Sequence, residues 1–337
     1  MKKTSKILRT NLLEHPAVKA WRKTNPGRVE PDQIEIIKQK KKGSVYRLFG
    51  VGLKESTIIA KSVRPEKAVI ERTVYEKVLP YLPIATLHYY GYVEEEGGQF
   101  SWLFLEDIGN QRYSPQDKDH RRSAARWLAI MHATAANLKI ESCLPDQGPD
   151  HYRMYLISII ETIPQIRVTS SIRRHESALL QDIVAMCELL ESRWDQVEFL
   201  SRRIPRTVIH GDCLTKNIHV RESKNGLTVI PFDWGGAGWG IPATDLGQSG
   251  LPYHNVPLTS PDFVSYFSLV QDKWSGIDID TIKQLANLGK MFWALKVICR
   301  GIPEFDQKRG NIEYLISNFE IYASVLDESI RFSNGNR

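Results

Sequence analysis

Apolar and polar positions change period along this chain of 337 residues, and the changes mark out its elements. Between residues 33 and 49 the apolar positions are closely spaced and rich in β-branched residues, with Ile34, Ile36 and Ile37 before a Gly43-Ser44 break and Val45, Tyr46, Leu48 and Phe49 after it. That pattern predicts a strand, a tight turn and a second strand. Residues 56–63 form a further β-branched run. Pro65-Glu66 then opens a helix in which Val69, Ile70, Thr73, Val74 and Leu79 recur at helical spacing as far as Tyr81, before Pro83 ends it. Residues 86–94 and 100–106 read as two more strands around a Gly97-Gly98 turn. The expectation is an antiparallel five-stranded sheet with one helix, after a polar lead-in that contains Pro26-Gly27.

From Ser123 onward the period becomes helical. Helices are expected over 124–137, with Trp127, Ile130 and Met131 on one face, and over 152–163, 176–199, 263–274, 281–300 and 312–332. Short β-like runs at Val208-Ile209 and at residues 228–232 interrupt them. The fold class is therefore α+β, divided into an N-terminal lobe over 1–107 and a mainly helical C-terminal lobe over 108–337. A chain of this length exceeds the usual size of a single core, which agrees with two lobes.

Composition narrows the class. Hydrophobic residues at 42% and charged residues at 25% are ordinary globular values. The net charge of +6 is unevenly spread, since residues 1–80 hold 19 Lys and Arg against 8 Asp and Glu. Lys2, Lys3, Lys6 and the run from Lys38 to Lys42 either face an anion or form a solvated basic surface. Cys143, Cys187, Cys213 and Cys299 are far apart, in no CxxC pair, so free thiols are expected rather than a zinc cluster or a disulfide framework. The basic start is followed by Arg9, Asn11, Glu14 and His15 rather than an apolar stretch, and no window has the length of a membrane span. A cytoplasmic location with no membrane partner follows as the expectation.

The candidate chemistry lies in His210-Gly211-Asp212-Cys213-Leu214-Thr215-Lys216-Asn217 and in Phe232-Asp233-Trp234. Asp212, after a β-like run and a Gly, is placed to align a hydroxyl or accept its proton. Asn217, five positions on, offers an amide oxygen to a hard cation, and Asp233, 21 positions from Asp212, offers a charged one. Magnesium prefers few carboxylates together with phosphate oxygens, which suits so sparse a set. Lys216 adds an ammonium that can offset charge developing on a transferred phosphoryl group, although a solvated loop lysine fits the position equally well. Together these residues form a set for magnesium and a nucleoside triphosphate. Short motifs match by chance, but the ordered constellation is far more specific than any one part.

These two motifs resemble those of the aminoglycoside phosphotransferase family, relatives of choline kinases and, more distantly, of protein kinases. The resemblance spans about 34–245 and implies a two-lobed protein-kinase-like fold, ATP bound in the cleft with Mg2+, and transfer of the γ-phosphate to a small-molecule hydroxyl acceptor. It implies that Asp212 is the catalytic carboxylate and that Asn217 and Asp233 hold the metal. It further implies that Lys61 reaches the α and β phosphates and that Glu71 pairs with it, with Glu66 and Glu76 as rivals on the same helix. The segment from Leu103 to Gly109 is similar to the family hinge, whose backbone near Glu106 and Ile108 binds adenine. Gly43 and Ser44 stand where the phosphate loop would be, with one glycine where protein kinases have several. The run from Ala125 to Ala133 is similar to the helix after the hinge. His132 and His210 read as structural, and Asp245 matches a family residue that braces the catalytic loop. One departure is Gly235-Gly236 after Asp233-Trp234, where the family often has an acidic residue.

Three other readings compete. An atypical protein kinase is opposed by Gly211, which follows His210 where an Arg is usual. A catalytically silent kinase-like scaffold is opposed by the joint presence of Lys61, Asp212, Asn217 and Asp233. A nucleic-acid-binding module has the basic N-terminal part in its favour but no supporting motif, so no nucleic-acid partner is expected. The acceptor stays open among aminoglycosides, amino alcohols, sugars and other metabolites, as does the oligomeric state. A polycationic acceptor needs a dense acidic pocket. From Asp245 onward the chain holds 11 Asp and Glu against 9 Lys and Arg, and Asp262, Asp272, Asp278, Asp280, Glu304, Asp306 and Glu313 are the candidates to line one.

Overall fold

The computed structural model describes residues 6–24, 27, 29–95, 97–169, 173–223, 226–251, 258–307 and 312–334. Lys2, Lys3 and Pro26 of the lead-in lie outside the described residues. The chain opens with β1 (Lys6–Leu8) and α1 (Pro16–Thr24), followed by β2 (Ile34–Lys40), β3 (Gly43–Leu48), β4 (Ile58–Val63), α2 (Pro65–Lys77), β5 (Tyr89–Glu94) and β6 (Ser101–Glu106). Next come α3 (Lys118–Ala135), β7 (Asp146–Gln147), α4 (Pro149–Thr169), α5 (Arg174–Glu191), α6 (Trp194–Ser201) and β8 (Thr207–Ile209). A hairpin of β9 (Ile218–Ser223) and β10 (Gly226–Pro231) precedes β11 (Gly238–Gly240), α7 (Ala243–Gln248), α8 (Phe263–Val270), α9 (Ile279–Asp306) and α10 (Ile312–Asn334).

The chain divides into two compact units. One holds residues 1–113, 142–144 and 216–237, and the other holds 114–141, 145–215 and 238–337. A single cut between 107 and 108 does not describe this, because the β9–β10 hairpin, far along the chain, packs with the first unit.

In the first unit the five expected strands form one antiparallel sheet, with β1 added at an edge, in the order β1-β2-β3-β4-β6-β5. The lead-in expected to be polar instead contains α1. Its apolar stripe is narrow, Ala17, Val18, Ala20 and Trp21, yet all four side chains are buried. Strand alternation supplies the partner face, since Tyr46, Leu48, Ile58, Ala60, Trp102 and Phe104 point to the same side and pack with them. The Trp21 ring lies 5.2 Å from Phe104 and its Nε1 donates to Val29 O at 3.2 Å, so the indole is buried without losing its polar partner. The alternate positions Val45, Arg47, Ile59 and Lys61 face the other side. On that side α2 starts with Pro65 at its first turn and carries Lys77 in its last, both favoured there by the free backbone groups and the helix dipole.

The second unit is built around α9, which is buried on most of its surface and has α4, α7, α8 and α10 as neighbours. Asp278 caps its start by accepting from Thr281 N at 2.7 Å. α7 lies against it at backbone contact: a Cβ on Gly247 would sit 1.8 Å from Ala286 O, and one on Gly289 would sit 2.1 Å from Thr244 O. The single helix expected over 176–199 is two, α5 and α6. Ser192 turns its hydroxyl back to Leu189 O at 2.7 Å and Arg193 leaves helical geometry, so the apolar pattern continues while the axis does not. Among the described residues no helix is long and apolar enough to cross a membrane.

Replacing Trp21 by Ala is expected to cost about 3–5 kcal/mol, the range for deleting a buried tryptophan. Urea unfolding checks this, and a loss of less than about 1 kcal/mol would mean that α1 does not hold the sheet.

Candidate functional site

In the first unit the sheet face turned away from α1 lines a cavity of about 350 Å3. Its walls are largely apolar, with Ile37, Val45, Ile59, Leu87, Leu105, Ile108 and Phe232, and among the charged groups on its lining, Arg47, Lys61, Glu106, Asp107, Arg112 and Asp233, Lys61 and Asp233 pair with each other. Lys61 Nζ lies 2.6 Å from Glu71 Oε1 and 2.6 Å from Asp233 Oδ1. Glu71 is therefore the α2 carboxylate that meets Lys61, whereas Glu76 pairs with Arg72 and Glu66 is exposed. Burial by itself favours a neutral amine, but Glu71 and Asp233 outweigh it and raise the Lys61 pKa well above its ordinary value. Glu71 responds the other way. Burial pushes its carboxyl up to about 7, with Asp233 adding to the rise and Lys61 opposing it.

Asp233 stands at the end of β10 with φ 67° and ψ 56°, a left-handed conformation that Asp tolerates better than most residues but that still stores strain. The β9–β10 ladder pairs Ile218 with Pro231, and Phe232 N donates to Asn217 O at 3.0 Å. Asn217 and Asp233 thus flank the same end of one hairpin despite their separation in sequence. Asn217 is buried, Asp233 is about half exposed, and Lys216 beside Asn217 is exposed. The Gly235 departure also has a local cause. A Cβ there would lie 3.1 Å from Glu71 Oε1 and 3.5 Å from Lys67, so a bulkier acidic residue would crowd the buried carboxylate.

Other candidate residues occupy different places. Glu106 and Ile108 both line the cavity, with the Glu106 side chain engaged by Arg221 Nη2 at 2.6 Å and by His88 N at 2.9 Å. Gly43 and Ser44 are in β3 and do not line it. Gly43 has φ 145° and a Cβ would fall 2.4 Å from Ser62 O, so close sheet contact already requires the glycine. Arg47 went unnoticed in the sequence. It lines the cavity and binds Asp107 Oδ2 at 2.6 Å and Glu35.

Asp212 belongs to the second unit, where its loop is held from several sides. The fully buried Asp245 carboxylate accepts from His210 N at 2.6 Å and from Gly211 N at 3.0 Å, and His132 Nε2 lies 3.3 Å from it. His132 is completely buried, with Nδ1 2.8 Å from Tyr266 Oη and its carbonyl accepting from Thr207 Oγ1 at 2.8 Å. Gln248 Oε1 accepts from Cys213 N at 3.0 Å, and the buried Lys296 donates to Gly211 O at 2.8 Å. Gly211 takes φ 65°, which lets the loop turn so that these groups converge on its backbone. Gln248 gives no signal in sequence. Lys296 does, as a cation inside the apolar run Met291-Phe292-Trp293-Ala294-Leu295 and Val297-Ile298-Cys299.

Three of the seven acidic candidates for a cation pocket are used otherwise, and four lie exposed. Asp262 and Asp278 cap α8 and α9, Asp280 pairs with Lys283 at 2.8 Å, and Asp272, Glu304, Asp306 and Glu313 are exposed.

The profile of the Phosphotransferase enzyme family matches residues 58–262, more than half of the chain and every residue named for the catalytic and metal sets. The chain belongs to this family. Its fold is protein-kinase-like, as solved structures show. Aminoglycoside 2'-phosphotransferase-IIIa in its GDP complex is 13% identical, with a TM-score of 0.61 over 94% of this chain and 99% of that one. Spectinomycin phosphotransferase in complex with ADP and spectinomycin is 12% identical, with a TM-score of 0.61 over 98% and 99%. Choline kinase from Cryptosporidium parvum is 12% identical, with a TM-score of 0.58 over 94% of each chain. No curated protein matches the sequence.

Lys61→Met leaves the buried Glu71 without its cation, and is expected to cost about 3 kcal/mol near neutral pH. A carboxyl whose folded pKa is raised binds its proton more tightly folded than unfolded, so it loses stability as pH rises from its unfolded value. The deficit of the variant should therefore be larger at about pH 7.5 than at about pH 5, where Glu71 is protonated. Urea unfolding of both proteins at the two pH values checks this, and a pH-independent difference would contradict it.

Proposed function

We propose that this member of the family is a Mg·ATP-dependent kinase that transfers the γ-phosphate to the hydroxyl of a small molecule. The observation that carries the reading is the Lys61–Glu71–Asp233 ion-pair chain on the wall of an apolar cavity. An apolar slot with convergent charges at one place suits a flat base attached to phosphates. Lys61, kept charged by its two carboxylates, binds the α and β phosphates, and Glu71 keeps the ammonium in position. Leu105, Ile59, Val45 and Phe232 enclose the base, with the backbone at Glu106 and Ile108 as its polar partners. Gly43 and Ser44, which begin β3 and do not line the cavity, are given no phosphate contact in this reading.

Asn217 and Asp233 fit magnesium. One amide oxygen and one partly exposed carboxylate at the same hairpin end leave room for the phosphate oxygens and waters that this ion keeps. Bound there, magnesium neutralises charge on the phosphates. Asp212 aligns the acceptor and takes its proton as the hydroxyl oxygen attacks the γ-phosphorus. The bond from that phosphorus to the β-phosphate oxygen breaks, ADP leaves, and Lys216 offsets the charge of the transferred group. The bracing of the Asp212 loop by Asp245, Gln248 and Lys296 supports this role, because alignment to within a few tenths of an ångström needs a rigid backbone.

Asp212→Asn is expected to keep nucleotide affinity and lose turnover by about 10²–10⁴-fold, the usual contribution of a positioned base. Asp233→Ala should weaken magnesium-dependent nucleotide binding by about tenfold or more. Labelled ATP or GTP with magnesium, run against a mixed panel of hydroxyl acceptors, measures the first; calorimetry with and without magnesium measures the second. Undiminished turnover in Asp212→Asn, or unchanged Mg·nucleotide affinity in Asp233→Ala, would remove the corresponding role.

A further inference from the structure

Beside the buried Asp245 carboxylate, the second unit brings basic groups to the Asp212 loop. Lys296 on α9 donates to the carbonyl of Gly211, the residue before Asp212, and Arg300 follows one helical turn later. α4 delivers a third basic group to the same region. Tyr152 stacks on Phe292, one turn before Lys296, with ring centroids 4.0 Å apart and planes within 2°, which fixes the start of α4 along α9. The neighbouring His151 ring packs edge-on against Tyr152 and Tyr155, each at 5.1 Å. Half-burial is the main influence holding its pKa below the ordinary value, and Lys296 and Arg300 add to it. Asp146 opposes them, but that carboxylate is already bound by Arg206 at 2.6 and 3.0 Å. Neither Arg300 nor the His151 ring makes a hydrogen bond or ion pair among the described residues.

We infer that the acceptor alcohol carries an anionic group, a carboxylate or a phosphate, and that Arg300 and His151 receive it with the charge of Lys296 behind them. This rests on the phosphotransferase reading and specifies its substrate class. A polycation would meet the charges of Lys296 and Arg300 here, beside a His151 ring whose lowered pKa keeps it from adding a third, an arrangement that disfavours it. An anion meets the guanidinium fork, whose geometry suits both carboxylate and phosphate.

Two measurements on the full-length protein keep this apart from the phosphotransferase reading. The first is binding without nucleotide, by thermal shift and calorimetry, of D-gluconate and glycerol 3-phosphate against kanamycin and choline. The second is ADP release with Mg·ATP in the presence of each. The expected result is that an anionic alcohol binds and accelerates ADP release while kanamycin and choline do neither. Arg300→Gln should raise the KM for that alcohol by about tenfold, read against the KM for ATP in the same variant, and Arg300→Lys should recover part of the loss. Activity with gluconate alone assigns a carboxylate, and with glycerol 3-phosphate alone a phosphate. The inference is overturned if neither anion binds at millimolar concentration, if only the cationic alcohols stimulate, or if Arg300→Gln leaves the KM unchanged. Anion binding without any ADP release would retain the basic site and remove the transfer reaction.

Discussion

The first unit depends on one buried ammonium. Lys61 is nearly enclosed, and a cation there is tolerable only because Glu71 from α2 and Asp233 from the end of β10 both lie at 2.6 Å. These two contacts tie the sheet, its helix and a hairpin from 172 positions away into one arrangement. They also explain smaller features: Asp233 is held in a left-handed conformation, and Gly235 keeps side-chain bulk away from Glu71. Stability and chemistry are coupled here, since a group that binds phosphate would draw on a charge that the fold already holds ready.

The second unit solves a different problem, the rigidity of a loop without regular structure. Buried backbone donors must be paired, and the loop from His210 to Cys213 pairs them with side chains from elements far away in sequence. Asp245 and Gln248 come from α7, and α9 supplies Lys296 to the Gly211 carbonyl. The near contact of α7 and α9 through Gly247 and Gly289 brings these side chains within reach. The same α9 presents Arg300 one turn on, so the helix that fixes the loop also sets the charge around it.

Period and punctuation made the strands from β2 to β6, the helix α2 and most helices of the second unit legible, because each buries one face and breaks at Gly or Pro. Where the stripe was narrow, as with Ala17, Val18 and Trp21 in α1, the period was present but weak beside the surrounding Lys and Arg. Where the apolar pattern ran on, as across Ser192 and Arg193, it could not show that the axis changes. The helical pattern of α2 does not separate Glu66, Glu71 and Glu76, which differ in the face of the helix they occupy; only the family resemblance singles out Glu71.

By itself the sequence determined the fold class, the alternation that gives the sheet its two faces, and the residue types of the motif around Asp212, Asn217 and Asp233. These follow from local periodicity and from short covalent spacing. Tertiary structure alone decided that Asn217 and Asp233 share one hairpin end, that Asp262 and Asp278 are helix caps rather than ligands, and that Lys296 reaches the Gly211 carbonyl with Arg300 and His151 close to it. Each of those outcomes depends on which side chains distant segments bring together, and burial and pairing of charge fix that only once the chain has folded.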